Sequence, residues 1–129
     1  MPPALPVGLA PELQPGTYAF VSVAHGASLE GLDAIATMRE AEGLTVVLPL
    51  ARAVERGLAV AAEFAWITLA TPTELTAIGV TAAFAGALAN AGIPCNVIAG
   101  VRHDHVFVPS AAADRAVGLL GEVEWPRSS

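Results

Sequence analysis

The 129-residue chain contains no lysine and a single cysteine, Cys95. The missing lysine removes both Schiff-base chemistry and the lysine of a phosphate-binding P-loop. One thiol cannot make an intrachain disulfide or a multi-cysteine metal cluster. Charge is scarce too: twelve Asp plus Glu against six Arg leave a net charge of −6. The arginines are scattered singly, without the basic stripe that a polyanion-binding surface needs. Nucleic acid and anionic membrane are therefore not expected as partners. Apolar runs are cut by Glu, Thr, Pro or Asn well before the ~18–20 residues of a transmembrane helix. The opening Met1-Pro2-Pro3-Ala4-Leu5-Pro6 has no basic n-region and too many prolines for a signal peptide, so the expected location is the cytoplasm.

What the chain does have is apolar content, 54 % of residues, the opposite of a disordered composition. Its length suits one compact domain, or two very small modules sharing a core. So much apolar surface on a small body is expected to lie partly at a subunit interface.

Pro2, Pro3, Pro6, Pro11 and Pro15 keep residues 1–16 out of a helix or a central strand and predict an extended arm. Residues 17–23 carry the β-branched and aromatic content of a strand, and residues 25–33 read as a loop or a short helical turn. Two strands, 34–40 and 44–48, are expected to meet across Glu42-Gly43, followed by a short helix over 50–58. Residues 64–70 are apolar on both alternating sets, as in a strand covered on both sides. Thr71-Pro72-Thr73-Glu74 fits a capping box with proline at the first helical position. The helical pattern then runs to Ala91 with Gly92 as its stop, and Gly79 is able to divide it into a turn and a main helix. Strands at 95–99 and 103–108, a helix over 111–120 capped by Ser110, and a closing strand at 122–125 complete the chain. Residues 64–125 thus read β-α-β-β-α-β, the ferredoxin-like order of an α+β sandwich, and residues 17–58 repeat it with the first helix worn down to a loop.

Three groups of residues bear chemistry. His103-Asp104-His105 in a strand would project both imidazoles from one face, a spacing able to chelate a metal but short of a third protein ligand. The alternative is one interface histidine and one solvated histidine. A turn through residues 99–102 would set Ile98 opposite His103 and Asn96 opposite His105, leaving Cys95 on the apolar face with Val97, Val106 and Val108. The loop over 71–79 joins a buried strand to a helix start, where free backbone N–H groups suit a carboxylate. Asn96 and the main chain of Val97 and Ile98 would lie on a neighbouring strand, and Ala77 and Gly79 leave room. That pattern fits a small zwitterion, or merely an ordinary capped helix.

The segments Glu40-Ala41-Glu42-Gly43-Leu44-Thr45-Val46-Val47, Trp66-Ile67-Thr68-Leu69, 75–83, 93–100 and His103-Asp104-His105-Val106-Phe107-Val108-Pro109 resemble a family of small bacterial ACT-domain proteins of unknown function. Such proteins are built from paired ACT modules like those of aspartate kinase regulatory regions. The resemblance implies two ACT-like halves: an arm at 1–16, an abbreviated half at 17–62, a C-terminal ACT domain at 63–125 and a tail at 126–129. It also implies a ligand, generally an amino acid, at the junction of first strand and first helix. By position that is Thr73, Glu74, Leu75, Ala77, Ile78 and Gly79, with Asn96, Val97 and Ile98 opposite and His103, Asp104 and His105 as a secondary polar site. The chain departs from its relatives at Ala70-Thr71-Pro72-Thr73, where they carry more polar residues. The expectation is a non-catalytic, regulatory, amino-acid-binding homodimer with no cofactor and no resident metal. Its rivals are a metal-dependent enzyme using His103 and His105, and a purely structural interaction module.

Overall fold

The computed structural model describes residues 6–126. The expected arm and tail therefore lie partly outside the described residues, at 1–5 and 127–129. The elements are β1 (Pro6–Gly8), β2 (Pro11–Leu13), β3 (Tyr18–Val23), β4 (Ala36–Glu40), β5 (Gly43–Pro49), α1 (Leu50–Glu55), β6 (Val60–Leu69), α2 (Val80–Asn90), β7 (Asn96–Ala99), β8 (Asp104–Pro109), a 3-10 turn (Ser110–Ala112), α3 (Ala113–Glu122) and β9 (Glu124–Pro126). They form two units.

The first unit is Pro15–Ala65. Its strands pair antiparallel in the order β4, β5, β3, then the first part of β6, the arrangement the ferredoxin-like order requires. Glu40 pairs with Gly43, which leaves Ala41-Glu42 as a two-residue hairpin loop. Glycine is needed at 43 because a Cβ there would meet the Val23 carbonyl oxygen at 2.6 Å. Ala19, Val21, Val46 and Leu48 from the sheet, Ala53 from α1 and Leu32 from the 24–35 loop make the core. The loop thus supplies the apolar cover that a first helix would have given. Arg56 Nη2 donates to the Glu30 carbonyl at 2.6 Å and Arg52 Nε to Asp33 at 3.1 Å, so α1 holds that loop in place.

The second unit joins residues 6–14 to residues 66–126. β8 lies between β6 and β7, and α3 packs against α2, β2 and β8. Ile67, Leu69, Val106 and Val108 on the strands meet Val80, Phe84, Leu88, Ala116 and Leu120 of the helices; all are buried. The place beside β6 is taken by β2, with Pro11 opposite Leu69 and Leu13 opposite Ile67. The closing strand expected at 122–125 pairs instead with β1. Pro11, which lacks an N–H, is tolerated because it opens a strand that pairs on one side. Leu9, 1 % exposed, pins the segment into the core. No helix of the described residues is long and apolar enough to cross a membrane.

Candidate functional site

Within the second unit β6 ends at Leu69, and residues 70–79 lead to α2. The expected capping box does not form. Thr71 Oγ1 donates to the Gly8 carbonyl, the Thr73 N–H donates to the Arg102 carbonyl at 3.0 Å, and the Thr73 hydroxyl reaches Asp104 Oδ2 at 3.5 Å. The threonines that would have capped a helix are engaged by other segments. Only one isolated turn forms, with the Ala77 N–H on the Glu74 carbonyl at 3.0 Å. The helix starts at Val80, after Gly79 at φ 88°, and has no side-chain cap and no acidic residue in its first turn. Its first ladder bond is Ala83 N–H to the Gly79 carbonyl, 3.0 Å. The amides of residues 80–82 precede that bond and point from the positive end of the helix.

The β7–β8 hairpin comes up beside this loop. Ile98 pairs with His105 and Asn96 with Phe107, two residues away from the expected register. An even shift preserves the faces, so Val97 and Val106 still share a side. Residues 100–103 make the turn, closed by the Gly100 N–H on the His103 carbonyl at 2.9 Å. Asp104 alternates with His105 and lies on the helix side, where it meets Thr73.

A cavity of about 80 Å³ opens between loop, helix and hairpin. Thr73, Glu74, Leu75 and Ala77 line it from the loop, Val80 and Thr81 from α2, and Ala99, Gly100 and Asp104 from the hairpin. Of the expected ligand residues, then, Thr73, Glu74, Leu75 and Ala77 come together, and Asp104 joins them from the H-D-H segment. Ile78 is 92 % exposed, Gly79 is the residue before the helix, and Asn96, Val97, Ile98, His103 and His105 are not among the lining residues. Sequence reading missed Val80, Thr81, Ala99 and Gly100. The position of Asp104 was available from strand alternation.

The opposite face of β6 and β8 carries a polar chain. Gln14 Nε2 donates to Thr68 Oγ1 at 2.9 Å, Thr68 Oγ1 sits 3.2 Å from His105 Nδ1, and Trp66 Nε1 donates to the same nitrogen at 3.0 Å. Two hydrogen-bond donors facing Nδ1 leave the proton of the neutral ring on Nε2. Burial, and then the charge of His103, lower the His105 pKa below 6.5, with Asp104 opposing them. The His103 Nδ1 atom is buried and has no hydrogen-bond partner among the described residues. Burial pushes the Cys95 thiol pKa up. Among the described residues no three His, Cys, Asp or Glu side chains gather as metal ligands.

Two ACT-domain family models match the chain, over residues 3–65 and 61–122. A crystal structure from Vibrio cholerae, of a protein of unknown function described as a possible transport protein, is 48 % identical with a TM-score of 0.83, covering 89 % of this chain and 88 % of that one. The ligand-free regulatory subunit of aspartate kinase from Thermus thermophilus has a TM-score of 0.57 at 10 % identity, over 92 % of this chain and 97 % of that one. The same subunit from Thermus flavus has a TM-score of 0.59 at 10 % identity, with the same two coverages, 92 % and 97 %. At that identity the two subunits share the fold alone. No curated protein matches. The chain belongs to the ACT-domain family and carries two ACT domains, modules that commonly serve as regulatory small-molecule binders.

Proposed function

We propose that the chain is a non-catalytic cytoplasmic sensor that binds an amino acid in the cavity of its second unit and passes the signal on as a homodimer. The observation that carries this reading is the cavity itself, placed where the strand-to-helix loop meets the N-terminal end of α2. The uncapped amides of residues 80–82 suit a carboxylate, and Asp104 and Glu74 suit an ammonium group. The homodimer is supported by an apolar rim. Leu75 lines the cavity and is 65 % exposed, while Ile78 and Val101, which adjoin its walls in sequence, are 92 % and 74 % exposed. A second copy covering these side chains would remove them from water.

The test is a thermal-shift screen against the twenty amino acids, with and without chelator. A ligand at 100 times its Kd adds about 2.7 kcal/mol of stability. A selective rise in Tm that survives the chelator supports the sensor. Silence toward every amino acid, with a fall in Tm on chelation, would refute it.

A further inference from the structure

The polar chain of Gln14, Thr68, Trp66 and His105 lies in the second unit but outside the residues that line its cavity. We propose that His105 is an acid-sensitive latch: a proton taken up at Nδ1 drives the Trp66 indole N–H out of its hydrogen bond and shifts the indole on the sheet. Two groups converge on Nδ1, Trp66 Nε1 at 3.0 Å and Thr68 Oγ1 at 3.2 Å, and they differ in chemistry. The Thr68 hydroxyl both donates and accepts. It already accepts from Gln14 Nε2 at 2.9 Å. Its own hydrogen can turn toward the lone pair of a neutral ring, and its second lone pair can take the N–H of a charged one. The indole N–H is a donor and nothing else. It suits the neutral ring only, since protonation sets two N–H groups head to head. Thr68 is therefore indifferent to the charge of His105, and Trp66 is not. A donor turned away from its acceptor has to find another. The indole that carries it stacks on Phe107, with ring centroids 6.3 Å apart and planes at 18°, so the adjustment disturbs an aromatic pair. The groups around the ring set when this happens. Burial and then His103 lower the His105 pKa, and Asp104 opposes them. From β2, Glu12 stands opposite Thr68 but is exposed and screened by solvent. From β7, the uncharged Ile98 stands opposite the ring. The latch is thus closed at neutral pH and opens below the ordinary histidine value of 6.5.

The experiment is a pH titration of the whole chain by nuclear magnetic resonance, from about pH 8 to about pH 5, where an ordinary histidine changes charge. It follows the imidazole nitrogens of His105 and the indole N–H of Trp66, and Trp125→Phe separates the signals of the two tryptophans. In the neutral ring the proton is expected on Nε2. On acidification the Trp66 indole signal is expected to move with the midpoint of His105, while the amides of β4 and β5 keep their positions. In His105→Gln, whose side-chain oxygen still accepts, the indole signal should stay fixed. In Trp66→Phe, with the opposing donor gone, the His105 midpoint should rise by about half to one pH unit. A neutral ring protonated on Nδ1, or an indole signal that stays fixed while His105 titrates, overturns the latch. So does an unchanged His105 midpoint in Trp66→Phe; if that variant does not fold, the titration of the parent chain still decides. Loss of the whole spectrum at the His105 midpoint would make the residue a point of acid unfolding, and overturns the latch as well.

Discussion

Replacing Leu9 by alanine tests whether the segment before Pro11 is structural or merely a leader. The side chain is 1 % exposed, in a segment whose Leu9 and Ala10 carbonyls accept hydrogen bonds from the Thr71 and Ala70 amides at 3.2 and 2.9 Å. Removing a fully buried leucine side chain costs about 2–5 kcal/mol, the larger figure where the site cannot collapse around the hole. Two antiparallel partners hold the backbone on either side, so relaxation is restricted and a cost above about 3 kcal/mol is expected. At roughly 3–6 °C per kcal/mol for a chain of this size, Tm should fall by on the order of 10 °C or more. Amide hydrogen exchange read by mass spectrometry locates the loss. Protection should drop in residues 66–69, α2 and α3. Unchanged protection at α2 and α3, or a loss confined to β3, β4 and β5, would refute the assignment of residues 6–14 to the second unit.

Gly43→Ala should lower the urea midpoint by an amount worth about 1–3 kcal/mol, because the new Cβ would lie 2.6 Å from a backbone oxygen; a midpoint within error of the parent would refute the close approach. Gly79→Ala meets nothing within 4 Å but must hold φ 88°, so denaturation should show a loss of about 1–2 kcal/mol from left-handed backbone alone. The His105 pKa is lowered in the fold, so the unfolded chain binds more protons below pH 6.5 and stability falls as the pH drops through that window. The slope of unfolding free energy against pH should shrink in His105→Gln, which still accepts from Trp66 but does not titrate; an unaltered slope would remove His105 from the account.

Strand and helix content was legible because period-two and period-three-to-four apolar patterns report which face meets a core. The stop at Gly92 followed from local turn chemistry, and so did a hairpin near Gly43, although its loop is Ala41-Glu42, one residue before the expected Glu42-Gly43, with Gly43 itself paired in the strand. What failed was decided by partners distant in sequence. Thr71 and Thr73 have the composition of caps, yet Gly8, Arg102 and Asp104 take their hydrogen bonds. The hairpin slipped by two residues because Ala99 pairs with Asp104 and the turn is closed through the His103 carbonyl, which no local turn dipeptide announced. The prolines of the N-terminal segment correctly spoke against a central strand, but they could not reveal that Pro11–Leu13 would pair with β6. At the site the 70–79 loop was found from its place between strand and helix. Asp104 was visible only as part of a histidine motif, although alternation separates it from both neighbours.

The pairing of β2 with β6 orders events during synthesis. Gln14 hydrogen-bonds to Thr68, 54 residues further along the chain, so the N-terminal segment leaves the ribosome long before its partner exists. Everything the first unit needs, Pro15–Ala65, is made in between, and its contacts are the more local ones that close early. The second unit must retrieve a strand made 54 residues earlier, and that retrieval cannot be complete before the final residue of β6 has been made. Until then Leu9, buried in the fold, is an unsheltered apolar side chain on a nascent chain, the kind of surface on which holding chaperones act.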